Sequence, residues 1–320
     1  MLLFALEPGC ALAPSVAQAL GQGVSPHEER VFEDGERKLR PLVDPCGADA
    51  YVLASLHGGP SDSPHDKLVR LLMFVATLRE HGAARVTAVV PYLAYARKDR
   101  GTKPFDPIAS RHVAQLIEAV GTDALIVLEV HNLSAMQNAF RIPTTHLSAH
   151  EAFDAVADEW AAQGPVAVVS PDPGGVKRAQ LWREHLESRL GRPVGFAMID
   201  KRRSDGRVGG FDLIAGDVKG ATALVLDDLI ASGGTIRRAA VALRAAGARE
   251  VVAFAAHGLF VPPAEAVLAD PAIAAIVVAD GVPPFRVAAG SALASRLRVV
   301  SVAPLLARAI SRCSRSGAGG

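Results

Sequence analysis

Two adjacent carboxylates, Asp227 and Asp228, close the apolar run Ala223–Leu226 and are followed by the small-residue turn Ala231-Ser232-Gly233-Gly234-Thr235. Beyond that turn, Ile236, Ala240 and Leu243 recur at helical spacing and Gly247 stands past their end. A strand, a Gly-rich turn and a helix N-terminus together make an anion cradle. Small side chains admit a phosphate to the backbone N–H groups, and the helix dipole favours its charge. Paired carboxylates before such a cradle suit vicinal sugar hydroxyls, gripped directly or through Mg²⁺. A phosphate pocket beside a diol grip points to a sugar phosphate. The competing reading is a plain strand–loop–helix connection. A P-loop is excluded, because no Lys-Ser/Thr follows the glycines.

A second chemical segment is PYLAYARKDRGTKPFDPIASR, Pro91–Arg111, which follows a predicted strand. It carries Arg97, Lys98, Arg100 and Lys103 in a short span, with Tyr92 and Tyr95 beside them. A charge run is usually a solvated surface. Here aromatics interleave with the cations at a strand's carboxyl end, where open α/β sheets bind ligands. Stacking on a base and neutralising a polyphosphate is the chemistry such a loop supports.

These residues need a scaffold of short strands and crossover helices, and the chain shows that alternation throughout. Apolar β-rich runs at 2–6, 50–56, 86–90, 124–129, 166–170, 197–200, 223–226, 251–255, 274–278 and 299–302 alternate with helical stretches near 13–21, 64–82, 106–120, 149–162, 174–190, 235–246 and 303–313. The expected class is α/β, with parallel sheets flanked by helices in two Rossmann-like domains. The expected boundaries are 1–147 and 148–302, with helix 303–313 packing back on the first domain and a flexible tail at 314–320.

Composition narrows the function classes. The 320 residues are 50% apolar and 21% charged, which supports a sizeable core and argues against extensive disorder. A net charge of +1 provides no bulk field for nucleic acid or an anionic membrane, so neither is an expected partner. Cys10, Cys46 and Cys313 are scattered without metal-ligand spacing, as in a reduced cytoplasmic protein. Glu7 and Pro8 interrupt the first apolar run, and no stretch reaches the ~20 apolar residues of a membrane span.

DDLIASGGT resembles the phosphoribosyl diphosphate (PRPP) loop of type I phosphoribosyltransferases and PRPP synthases, and PYLAYARKDR resembles the ATP loop of the PRPP synthases, the ribose-phosphate pyrophosphokinases. Further segments resemble that family in its order: VFEDGE (Val31–Glu36), LEVHNLSAMQNAF (Leu128–Phe140), VSPDPGGVKR (Val169–Arg178), MIDKRR (Met198–Arg203), HGLF (His257–Phe260) and Ser301–Ala309. The resemblance implies two phosphoribosyltransferase-like domains and transfer of diphosphate from Mg-ATP to the C1 hydroxyl of ribose 5-phosphate. It implies ATP contacts at Phe32, Asp34, Glu36, Arg97 and Lys98, and metal roles for His131 and Asp172. Ribose 5-phosphate would sit on Asp227, Asp228, Ala231, Ser232, Gly233, Gly234 and Thr235, with Lys201 and Arg203 as the catalytic cations. The resemblance also implies a homo-oligomer.

Two alternatives explain part of the pattern. A phosphoribosyltransferase consuming PRPP leaves the Arg97 and Lys201 segments without purpose, and a catalytically silent associated subunit sits poorly with the presence of Lys201 and Arg203. The chain also departs from the family pattern. Ala231 stands where many members carry an acid, Lys98 replaces a common Gln, and Asn132-Leu133 replace small and acidic residues. Residues 57–66 diverge, and the allosteric region of ADP-inhibited members is not recognisable. Weak or absent ADP inhibition is the expected result in turnover assays; strongly sigmoidal ADP inhibition would refute it.

Overall fold

Apolar runs without polar alternation suit strands buried on both faces, and they form the parallel strands of two sheets. The computed structural model describes residues 1–6, 11–200 and 213–317. It divides into two compact units, Met1–Ser148 with Ser301–Gly320, and Ala149–Val300.

The first unit contains β1 (Leu2–Ala5), α1 (Leu12–Ala19), β2 (His27–Val31), β3 (Arg37–Pro41), β4 (Asp49–Leu53), α2 (Pro64–Glu80), β5 (Arg85–Val90), α3 (Ala109–Ala119), β6 (Ala124–Leu128), α4 (Leu133–Ala139) and β7 (Thr144–Leu147). Its five-stranded sheet runs β1-β4-β5-β6-β7, with every neighbour parallel. β2 and β3 form a separate antiparallel hairpin. The sequence reading did not include it, because HEERV and RKLRP carry no clear apolar alternation. Phe4 and Phe74 meet edge to face at 5.1 Å in this unit's core, alongside Leu71, Val90 and Leu125. Ser63 caps α2 in a reciprocal box: its Oγ accepts the Asp66 amide and the Asp66 carboxylate accepts the Ser63 amide, with Pro64 opening the helix. The divergent segment 57–66 thus ends in a strong helix start.

The second unit contains α5 (His150–Ala162), β8 (Val166–Ser170), α6 (Val176–Leu190), β9 (Gly195–Asp200), β10 (Leu213–Gly216), β11 (Thr222–Ile230), α7 (Gly234–Ala245), β12 (Glu250–Gly258), α8 (Ala264–Leu268), β13 (Ala275–Ala279) and β14 (Leu297–Val300). Its sheet runs β10-β9-β8-β11-β12-β13-β14, parallel except for the β9–β10 pair. Val169, Val225, Leu243 and Val251 fill one core, while Phe153, Trp182 and Phe254 meet edge-on at 4.8–6.1 Å.

A final helix, α9 (Ala303–Gly317), belongs to the first unit and packs on α1. Arg85 Nη2 donates to the Cys313 carbonyl at 2.8 Å, tying the helix to β5. α9 runs past the expected end at Cys313.

Two expected boundaries moved. α3 begins at Ala109 rather than 106, because Pro107 disfavours helix before it and Asp106 is used to close the preceding loop. β11 does not stop at Leu226: Asp227, Leu229 and Ile230 stay in register with Ala255, His257 and Gly258 of β12. Both aspartates are therefore held by a sheet rather than by a loop.

Candidate active site

In the second unit β9 lies on one side of β8 and β11 on the other, so the strand order reverses between β8 and β11. Open α/β sheets bind ligands at the carboxyl ends of strands at such a switch point. The turn after β8 carries Asp172, and the turn after β11 is Ala231–Thr235.

The two glycines of that second turn have different reasons to be glycine. Gly233 has φ +78°, and a Cβ there would lie 2.6 Å from Leu268 Cγ, so the fold itself requires it. Gly234 opens α7, and a Cβ there would meet only Ser232 Oγ, at 3.9 Å. The fold leaves that space open, in front of helix amides that lack intrahelical acceptors. Gly233→Ala should therefore lose about 2–4 kcal/mol from left-handed strain and overpacking. Gly234→Ala should leave the melting temperature near the parent's while raising the KM for the sugar phosphate about tenfold, through a methyl in the anion's path. Thermal unfolding and steady-state kinetics on the two variants check this split, and an unchanged KM in Gly234→Ala would remove the cradle.

Asp228 is 4% exposed, and its amide donates to Asp227 Oδ1 at 2.9 Å. Burial, and then the neighbouring Asp228 carboxyl, push the Asp227 pKa well above the usual carboxylate range. Such a pair suits a diol, since a protonated carboxyl donates while an ionised one accepts. Arg178 Nη1 lies 3.9 Å from Asp228 Oδ1. Sequence reasoning gave Arg178 no role; its signal was its place in the first turn of the helix that follows Asp172.

Asp172 caps the turn Pro173–Gly175, accepting the Gly175 amide on Oδ1 at 3.2 Å, while Ser170 Oγ donates to its carbonyl at 2.6 Å. A Cβ on Gly175 would sit 2.8 Å from Ser170 Oγ, so a larger residue there would push the Ser170 hydroxyl aside. Asp172 therefore has a structural task as well as any binding role.

In the first unit, Phe32, Asp34 and Glu36 occupy the β2–β3 turn. The Phe32 amide donates to the Glu36 carbonyl at 2.8 Å, the Glu36 amide to Asp34 Oδ1 at 3.0 Å, and Gly35 takes φ +93°. The Arg30 guanidinium lies 5.0 Å from the Phe32 ring centroid. A charge-balanced cluster holds this hairpin on α2. Arg70, 3% exposed, reaches Glu29 at 3.0 Å, Asp62 at 2.9 Å and the Leu6 carbonyl at 3.0 Å. Arg37 pairs with the same Glu29 and with Asp62, the latter at 2.8 Å.

β5 and β6 are adjacent, and their carboxyl ends carry the other two segments expected at ATP. Lys98 Nζ lies 2.6 Å from Asp106 Oδ2, which also accepts Thr102 Oγ1 and the Thr102 and Lys103 amides at 2.9–3.0 Å. The Lys98 ammonium and those donors hold the Asp106 carboxyl far below its usual range. Lys98 thus closes the loop, whereas Arg97, Arg100 and Lys103 are exposed with no side-chain partner among the described residues. Tyr95, at φ +63°, bonds through its hydroxyl to His65 Nδ1. His131 follows β6, behind Glu129, which is 7% exposed, has φ +36° and accepts Ser148 Oγ at 2.9 Å. The expected catalytic residues Lys201 and Arg203 lie outside the described residues.

Comparison with known proteins gives three matches along the chain. Residues 1–121 match the N-terminal domain of ribose phosphate pyrophosphokinase, 144–258 a phosphoribosyl transferase domain, and 211–318 a phosphoribosyl synthetase-associated domain. A ribose-phosphate pyrophosphokinase of Caldanaerobacter subterraneus is 36% identical, covering 94% of this chain and 90% of that protein. One from Brucella melitensis is 35% identical, covering 98% and 96%. The crystal structure of phosphoribosylpyrophosphate synthetase from Mycobacterium smegmatis superposes with a TM-score of 0.86 at 33% identity, covering 98% of this chain and 99% of that one. Identity at this level along nearly the whole chain, on the same fold, makes this protein an enzyme of the ribose-phosphate pyrophosphokinase family.

Proposed function

We propose that the chain transfers the diphosphoryl group of ATP to the anomeric hydroxyl of ribose 5-phosphate, releasing AMP. The observation that carries this reading is the switch-point arrangement of an acid pair, half-buried Asp227 and buried Asp228, running directly into the Gly233-Gly234 cradle. The acceptor would anchor its phosphate on residues 231–235 and its ring hydroxyls on the aspartates. The anomeric oxygen forms a bond to the β-phosphorus as the bridge to the α-phosphorus breaks. The bridging electrons leave with AMP, and the hydroxyl proton passes to solvent. Ala231 offers no base in the loop, so the loop binds and positions.

On the donor side of this reading, Arg97 neutralises phosphate charge, Lys98 keeps its loop closed, and Phe32, Asp34 and Glu36 serve the adenosine. Lys201 and Arg203 stabilise the charge that grows on the transferring group, since phosphoryl transfer depends on positioning and electrostatics. Among the described residues no three His, Cys, Asp or Glu side chains converge into a metal cage. That donor set fits a cation held largely by phosphate and water oxygens, which is the habit of Mg²⁺. The residues that would hold it are Asp172, a hard oxygen donor, and His131. If bound there, Mg²⁺ would supply positive charge against the nucleotide's phosphates. A homo-oligomeric, cytoplasmic enzyme completes the reading. Cys46 and Cys313 are free thiols, and among the described residues no helix is long and apolar enough to cross a membrane.

Phosphorus NMR of protein incubated with ATP, Mg²⁺ and ribose 5-phosphate tests the proposal. AMP together with a new anomeric diphosphate is expected. ADP in place of AMP would mean single-phosphoryl transfer and would overturn it.

A further inference from the structure

Asn132 uses both ends of its amide. Oδ1 accepts the Ala135 amide at 3.1 Å, which caps α4. Nδ2 donates to Asp99 Oδ2 at 2.6 Å, across 33 residues of sequence. The cap accounts for the first contact and needs nothing from the second. Asp99 lies between Lys98 and Arg100 in the cationic loop after β5, and Asn132 directly follows His131 after β6. The bond therefore joins two segments that neighbouring strands bring side by side. Within the loop, Lys98 and Asp106 close residues 98–106 on themselves, which fixes the loop's shape but not its attachment. The Asn132–Asp99 contact supplies an attachment, and its acceptor is a carboxylate, the stronger kind of hydrogen bond.

We propose that Asn132 is a positioning residue for nucleotide binding: through Asp99 it docks the Arg97–Lys103 loop against the His131 turn. The inference rests on the ATP reading of those two segments given above.

Substitution chemistry separates the two tasks of Asn132. Aspartate is as good an N-cap as asparagine, so Asn132→Asp keeps the helix start. It replaces the donor with a second carboxylate facing Asp99 and turns attraction into repulsion. Asn132→Asp should therefore melt near the parent's temperature, yet raise the KM for ATP about tenfold with kcat little changed. Asn132→Ser, which keeps the cap and drops the bridge without repulsion, should raise that KM by a smaller factor. The swap Asp99→Asn with Asn132→Asp restores a donor opposite an acceptor. It should recover most of the loss seen in Asn132→Asp alone, because the coupling belongs to the pair.

Hydrogen exchange of the amides in residues 97–106, measured without nucleotide, gives a second readout. It should speed up about tenfold in Asn132→Asp and return toward the parent in the swap. Equal KM and equal exchange in parent, Asn132→Asp and Asn132→Ser would reduce Asn132 to a cap and overturn the proposal. If the parent neither binds nor turns over ATP, the functional reading fails, and the exchange rates alone still decide whether the bridge docks the loop.

Discussion

Lys201→Ala should lower kcat about a thousandfold while the KM values for ATP and ribose 5-phosphate change little, the signature of an interaction made in the transition state. The effect is one of charge. As the bridge to AMP lengthens, negative charge collects on the leaving oxygen and on the equatorial oxygens of the group in flight. A cation placed at such oxygens is worth about 10³–10⁵ in kcat in related phosphoryl transfers. The acceptor loop cannot replace it, because Ala231-Ser232-Gly233-Gly234-Thr235 contains no cation and no acid. Arg97 lies in a different segment, and Lys98 is held by Asp106. Lys201→Arg should recover part of the loss by restoring charge, though not the geometry of a compact ammonium. Single-turnover measurement of AMP formation separates chemistry from product release. A kcat within tenfold of the parent in Lys201→Ala would end the assignment.

The second large effect concerns stability and is confined to the first unit. Arg70→Ala should cost about 3–5 kcal/mol, because it leaves the partners of a buried ion pair without their charge. Arg70 is 3% exposed and serves Glu29, Asp62 and the Leu6 carbonyl together. Without it, two carboxylates share Arg37 alone. Arg70→Met keeps most of the packed stem and should still lose most of that stability, which separates the charge from the volume. Glu29 lies on β2 and Arg37 on β3, so the same change should loosen the hairpin that presents Phe32, Asp34 and Glu36. The KM for ATP should rise as well. Thermal unfolding with ATP kinetics below the transition tests both. Melting near the parent's temperature in Arg70→Met would show that the cluster contributes little.

Much of the scaffold was legible because its determinants are local. Val166–Ser170 and Ala223–Leu226 are unbroken apolar runs between turn residues, and they become central parallel strands. The β2–β3 hairpin was not legible, since its strands are mostly polar and Leu39 is its one core residue, while long-range ion pairs such as Arg70–Glu29 help hold it. The end of β11 was misplaced for a related reason. Two acids look like the end of a strand, yet the ladder to β12 continues through Ile230.

The sequence by itself determined the acid pair, the glycine turn, the cationic loop and the alternation that makes an α/β fold, because each is written in neighbouring residues. Tertiary structure decided which of those residues are available for ligand. It closed Lys98 onto Asp106, placed Arg178 beside Asp228, and joined Asn132 to Asp99. It also told the two glycines of the cradle apart, Gly233 pressed by Leu268 and Gly234 left open. The physical reason is reach. Backbone preference and hydrophobic period act over a few residues, whereas an ion pair or a steric wall depends on which distant segment the sheet order brings alongside.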